Sequence, residues 1–256
     1  MRAIAHVARS TFRETVREKL LWLVAAYGIV LVVSTWILSP LSVGAARDKI
    51  VVDVGLAGIS LFGVLTAIMI GGALVHKEID KKAVYMVLTR PVSRGEYLVG
   101  KFAGIMAAIS SLVGLMAVLL VLVMLAGRVD LTRVLFAAVA LSLVEIAVIT
   151  AIVVLFSTFT TPVLTSFFTI GVFVAGSLGS DLRIFAQKFG GAAMRRVMDV
   201  LYFMLPNLSI FNLRHEAVHG LRLTGHEFLV SLLYGAVYAA AMLYFAWLIF
   251  RRREFA

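Results

Sequence analysis

The chain contains no cysteine, which excludes a disulfide framework, a thiolate metal site and a cysteine nucleophile, and leaves the redox compartment unargued. Charge is scarce too: 15% of the 256 residues are Asp, Glu, Lys or Arg, where a soluble domain has about a quarter. The nucleotide-binding pattern G-x-x-x-x-G-K-[ST] is missing, and no strand–helix alternation would support such a loop, so the chain does not hydrolyse ATP itself. No internal repeat of about 20 to 50 residues, no low-complexity tract and no soluble second domain is visible. What fills the sequence is apolar side chain, at 62% hydrophobic residues and a mean hydropathy of +1.02. This is the composition of a polytopic membrane protein. The formal charge of +10 does not point to nucleic acid, because the basic residues flank apolar runs and are not interleaved with aromatics. Membrane topology and anionic lipid explain it.

Six apolar runs are long enough to span: Leu20 to Ser39, Val51 to Val75, Phe102 to Ala126, Leu131 to Phe156, Val163 to Leu178 and Phe228 to Phe250. The expected fold is therefore all-α, with six transmembrane helices in a single domain covering residues 1–256. The fifth run is short and opens at Thr161-Pro162, where proline suits a first helical turn. Trp22, Trp36, Tyr244 and Trp247 sit near span ends as interface anchors. Residues 1–19 are amphipathic, with Ile4, Ala8, Phe12 and Val16 on one face and His6, Arg9, Arg13 and Arg17 on another, which predicts a helix lying in the membrane interface. A cleavable signal is the poorer reading, since the apolar run that follows has full spanning length. Of the 24 Lys and Arg, 14 fall on one side if the N-terminus is inside, and six of the others lie in one long segment that weighs little in topology. Both termini are thus expected in the cytoplasm. That long segment, residues 179–227, reads as an extracytoplasmic insert, with Met194, Val197, Leu201, Tyr202 and Leu205 forming an amphipathic helix that Pro206-Asn207 ends.

Between the second and third runs lies a dense polar island, His76 to Phe102. Ile79, Ala83, Met86 and Val87 recur at helical spacing, while Glu78, Asp80, Lys81, Lys82 and Tyr85 take the other faces, predicting a short amphipathic helix that stops near Arg90. Ser93-Arg94-Gly95-Glu96 then reads as a capping box that starts a second helix, which carries Lys101 two turns in before entering the membrane. The order of acidic-basic helix, Leu88-Thr89-Arg90-Pro91-Val92-Ser93-Arg94-Gly95-Glu96-Tyr97 and Gly100-Lys101 resembles the cytoplasmic loop of permease subunits of ABC transporters of the type-2 exporter class. Five spans, an extracytoplasmic insert and a final span are also similar to that family, as is Leu205-Pro206-Asn207-Leu208-Ser209-Ile210-Phe211-Asn212.

The resemblance implies that residues 76–101 dock on a separate cytoplasmic ATP-binding subunit, which would carry ATP and Mg, with no cofactor in this chain. It gives Lys77, Glu78, Ile79, Asp80, Lys81, Lys82, Tyr85, Arg94 and Glu96 the role of docking or force transfer. The competing view is a solvated loop whose charges only fix topology. The family also implies a second permease copy, placement in the plasma membrane (the inner membrane of a bacterium), contact with lipid and transport by alternating access. The Gly55, Gly58, Gly63, Gly71 and Gly72 series on the second span would serve either the subunit interface or internal packing. The cargo is open: an apolar interior suits lipids, hydrophobic drugs or peptides, and the family also handles polysaccharides.

Three sets of residues carry chemistry of their own. His215-Glu216-Ala217-Val218-His219 is a literal H-E-x-x-H, which on a helix could hold zinc for peptide hydrolysis. Asn212 and Gly220 bracket it closely, and Gly220 and Gly225 separate it from His226 and Glu227, so a polar interfacial turn is the favoured reading. Glu145 is the one acidic residue deep inside an apolar run. A carboxylate there costs about 2.5 to 3.5 kcal/mol on insertion scales unless it is paired or hydrated, so it is a candidate for the translocation path or for a structural hydrogen bond between spans. Asp53, at the start of the second run, is a weaker candidate for the same path. A zinc-dependent membrane protease and an ATP-independent carrier are the alternatives to the exporter subunit.

Overall fold

The computed structural model describes residues 2–17, 20–38, 45–80, 94–189, 191, 195–196, 199, 205–219, 221 and 223–252. Those residues form helices α1 (Arg2–Arg17), α2 (Leu20–Leu38), α3 (Ala45–Asp80), α4 (Arg94–Ala126), α5 (Arg133–Ser157), α6 (Pro162–Phe189), α7 (Arg214–His219) and α8 (Gly225–Arg252), with a 3₁₀ turn at Leu208–Phe211. No strand occurs among them. Five segments are long and apolar enough to cross a membrane, namely Asp48–Gly71, Gly95–Ala126, Arg133–Ser157, Pro162–Gly179 and Gly225–Arg251, and a shorter apolar helix covers Trp22–Ser34.

The helix ends follow local chemistry. Thr132 caps α5 by accepting the Leu135 amide, and Pro162 opens α6 at the position where its missing donor costs nothing. At the start of α8 the Glu227 carboxylate accepts the Thr224 amide at 3.1 Å, as in a capping box, so the helix starts at Gly225, before Phe228. The polar island does not begin with a helix of its own: α3 runs unbroken for 36 residues to Asp80, because Val75-His76-Lys77-Glu78 offers no glycine or proline to stop it. The rest of that island up to Ser93, including Lys81, Lys82, Tyr85 and the serine of the capping box, lies outside the described residues. Likewise α6 continues through Gly179 to Phe189, so the segment after the fifth run starts inside a helix. Its extension is tied to Asp199 by Arg183, Nε to Oδ1 at 2.9 Å. The remainder of the helix expected around Met194 to Leu205 lies largely outside the described residues.

Helix α5 is the centre of the bundle, packed against α3, α4, α6 and α8. Leu141, Ile146, Ile149 and Val153 are fully buried along it. On α6 and α8 the large apolar side chains Val163, Phe167 and Val237 point outward, as suits helices surrounded by lipid. The α3 glycines turn inward: Gly55 lies against Leu120, Gly58 against Tyr27, Gly63 against Ile146 and Val113, and Gly71 against Val153. Internal packing therefore accounts for four of the residues considered for a subunit interface. The Gly55–Leu120 and Gly63–Val113 contacts also show that α3 and α4 run antiparallel.

The amphipathic α1 finds an intramolecular partner for its apolar face. Ile4, Val7, Ala8 and Thr11 seat on α4 at Gly100 and Gly104, a G-x-x-x-G pair, while His6, Arg9 and Arg13 stay exposed. The approach is close enough that a Cβ on Gly104 would stand 2.6 Å from the Ala8 carbonyl oxygen. Lys101, which the sequence places on a solvated stalk, is instead wholly buried beside this seam, its Nζ 5.8 Å from the Tyr97 ring centroid. At the same end α4 meets α8, where the Trp247 indole covers Gly95 and Tyr97 stacks on Phe250 at 6.2 Å. Further along, the two helices bound an apolar wedge of about 410 Å³, backed by Val144 and Ala147 of α5 and floored on the α8 side by Gly235, Ala236 and Ala239.

The α1 seam separates two effects of glycine. Gly104→Ala should lower the thermal midpoint in detergent, since overpacking costs about 1 to 3 kcal/mol and a backbone oxygen cannot rotate away. Gly114→Ala, with nothing within 4 Å of its Cβ, should be neutral or stabilising by up to about 1 kcal/mol. Equal midpoints for the two variants would show that the seam is looser than described.

Candidate functional site

Residues Ala138, Ser142 and Glu145 recur at helical spacing on one face of α5 and open on a cavity of about 290 Å³. Ser60 of α3 donates from Oγ to Glu145 Oε2 at 2.8 Å, joining two spans through a carboxylate that is 6% exposed. Phe173 and Ser177 of α6 complete the side walls. The opposite face of α5, at Leu143, Val144 and Ala147, lines the apolar wedge, so one helix divides a polar space from an apolar one.

Another wall of the cavity is supplied by the stretch from Pro206 to Arg214, through Leu208, Ser209, Asn212, Leu213 and Arg214. Leu208 and Phe211 are 1% exposed, and Phe211 lies 6.0 Å from the Tyr234 ring. Gly176 admits the Pro206 carbonyl, which a Cβ would meet at 2.6 Å. Polar groups within the stretch satisfy one another or the bundle: the Asn207 amide donates to Tyr234 Oη at 3.0 Å, and Ser209 Oγ donates to Asn207 Oδ1 at 2.6 Å. Asn212 Oδ1 accepts both the amide and Nε of Arg214, each at 3.2 Å. The Arg214 guanidinium lines the cavity and reaches Asp53, Nη1 to Oδ1 at 4.0 Å.

Two sequence candidates are thus brought to one place. Glu145 is in the wall, and Asp53, exposed itself, holds the arginine at the rim. Ser60, Asn212 and Arg214 were not singled out from the sequence. The one available signal was the Pro206-Asn207 turn and its neighbours, which the resemblance picked out without a role.

The docking candidates are placed in part. Lys77, Glu78, Ile79 and Asp80 form the last turn of α3, and Arg94 and Glu96 the first turn of α4, where an acidic residue suits the helix dipole. Lys81, Lys82 and Tyr85 lie between them, outside the described residues.

The H-E-x-x-H residues do fall on a helix, but α7 has six residues. His215 and His219 are exposed with ring centroids 4.3 Å apart, and His219 Nδ1 lies 3.0 Å from the His215 carbonyl oxygen. Glu216 turns its Oε2 into the protein. Among the described residues no third His, Cys, Asp or Glu joins them to make a metal-binding group.

Five membrane-length helices, with no strand among the described residues, define a helical multi-pass membrane protein. Residues 5–255 match the family described as ABC-2 family transporter protein, and the chain belongs to that family, whose members are membrane permeases of ABC transporters. No curated protein matches the chain.

The Ser60–Glu145 pair should behave as a unit. Ser60→Ala leaves a buried carboxylate without its donor and should cost about 1 to 3 kcal/mol. Adding Glu145→Leu should recover most of that loss in denaturant unfolding of the detergent-solubilised protein. Simple additivity of the two changes would show that the bond has no energetic weight.

Proposed function

We propose that the chain is the transmembrane subunit of an ABC exporter that works as a dimer with a cytoplasmic ATPase and moves its cargo by alternating access. The family match over residues 5–255 carries this reading, because an ABC-2 permease implies an ATP-binding partner. ATP and Mg belong to that partner, and this chain supplies no catalytic residue. In this reading α2 is a sixth span, so that both termini lie in the cytoplasm of a bacterial inner-membrane protein and residues 1–256 act as a single domain. The basic residues around the ends of α1, α3, α4 and α8 support that orientation. Residues 1–19 lie along the inner interface, residues 76–101 face the ATPase, and residues 179–227 form the extracytoplasmic insert.

Closure of the ATPase pair pushes on Lys77, Glu78, Ile79, Asp80, Lys81, Lys82 and Tyr85, and on Arg94 and Glu96. The long antiparallel helices α3 and α4 take up that displacement, and α3 carries it to the wall of the Glu145 cavity that it lines. Because α1 is seated on Gly100 and Gly104, it moves with α4. Glu145, in the cavity wall, and Asp53, beside Arg214, then lie on the translocation path.

Affinity purification of the tagged chain in mild detergent should bring down a stoichiometric ATPase, identified by mass spectrometry. Lys81→Glu with Lys82→Glu should cut the stimulated ATPase rate of that complex by about fivefold or more while leaving membrane insertion intact. A chain that purifies alone refutes the partnership, and unchanged stimulation removes the two lysines from it.

A further inference from the structure

The chemistry of the Glu145 cavity restricts what it can hold. Among the described residues, the charged groups on or beside it are Glu145 of α5, Arg214 at the rim and Asp53 of α3. Arg214 Nε meets Asn212, Nη1 lies 4.0 Å from Asp53, and the guanidinium also acts on Glu145 through space. Two carboxylates therefore share one guanidinium, and the group as a whole has room for a second positive charge. The hydrogen bond that it accepts from Ser60 comes from a neutral hydroxyl, whereas a cation would form a charge-assisted bond, about twice as strong. An ionised group at this depth is retained at a cost that a partner of opposite charge removes.

The rest of the wall fits the remainder of such a ligand. Leu56, Phe173 and Leu208 supply apolar surface, with Ser142 and Ser209 beside them. The volume of about 290 Å³ is at the small end of ligand sites, which run from about 300 to 1,000 Å³. It suits an ammonium group and a short chain of carbons better than a full lipid.

We propose that this cavity binds an amphiphilic cation, a primary amine on a short apolar tail, with the Glu145 carboxylate as counter-ion and Leu56, Phe173 and Leu208 covering the tail. The assignment deepens the transporter reading and rests on it for the meaning of the site as a stage in transport. Binding itself needs no ATPase. Asp53 has a positioning role, because its carboxylate, 4.0 Å from Arg214 Nη1, competes with Glu145 for the guanidinium.

The test is equilibrium binding of hexylamine and of 1-hexanol to the purified full chain in lipid nanodiscs, with empty nanodiscs subtracted. Hexylamine should bind at least about tenfold tighter than the alcohol of equal length. Glu145→Gln should abolish that preference and leave hexanol affinity unchanged. Asp53→Asn should weaken the amine several-fold and spare the alcohol, since the released Arg214 can turn to Glu145. Equal affinities in the unmodified chain, or an amine preference that survives Glu145→Gln, would overturn the proposal. If Glu145→Gln does not give a monodisperse protein, Asp53→Asn decides, and an unchanged amine-to-alcohol ratio refutes the site. The exporter reading falls on a different result, the absence of a co-purifying ATPase, so the two failures are distinguishable.

Discussion

Lipid tails are as apolar as leucine, so helices in a bilayer gain little from merely hiding apolar surface, and the closeness of their approach decides how they associate. In this chain the distances are set by glycines. Gly55, Gly58, Gly63 and Gly71 let Leu120, Tyr27, Ile146 and Val153 sink into α3, and Gly100 with Gly104 lets the backbone of α1 rest on α4. Gly176 and Gly235 do the same for the stretch that closes the polar cavity, admitting the Pro206 carbonyl and the Phe211 ring. The position of α1 and the seating of the Pro206–Phe211 stretch both depend on these missing side chains.

Once the helices stand that close, α5 has neighbours on nearly every side, and its polar residues must face whatever gap is left. Ser142 and Glu145 face one gap and Leu143, Val144 and Ala147 the other. The separation of a polar from an apolar space is therefore a property of one helix and its 3.6-residue repeat. Glu145 accepts a hydrogen bond from Ser60 on another span, and that bond ties the relative heights of α3 and α5.

Much of this was legible in the sequence, because an apolar run of spanning length has few alternatives. The positions of the runs match α3, α4, α5, α6 and α8, and Glu145 declared itself by its cost in an apolar context. The ends were less legible: nothing in Val75-His76-Lys77-Glu78 or in Leu178-Gly179-Ser180 forces a helix to stop, so α3 and α6 ran on. Thr224 and Glu227 did carry a start signal, and α8 obeyed it. Contacts between distant residues were not legible at all. Ser60 lies 85 positions before Glu145, and the burial of Lys101 depends on where α1 docks. His215-Glu216-Ala217-Val218-His219 shows the reverse fault, a motif complete in letters that no third ligand joins among the described residues.

The junction of α4 with α8 has a mechanical consequence. Two rods fastened near one end, here by Trp247 on Gly95 and Tyr97 on Phe250, act as a pair of shears whose blades open toward the other end. With 33 residues, α4 is about 50 Å long, so a tilt of roughly two degrees at the pivot moves its far end by about 1.5 Å. The rivet sits within the first turns after Arg94, so a small rotation there grows with distance along α4. The apolar wedge between the blades is then a space whose width registers the angle at the rivet.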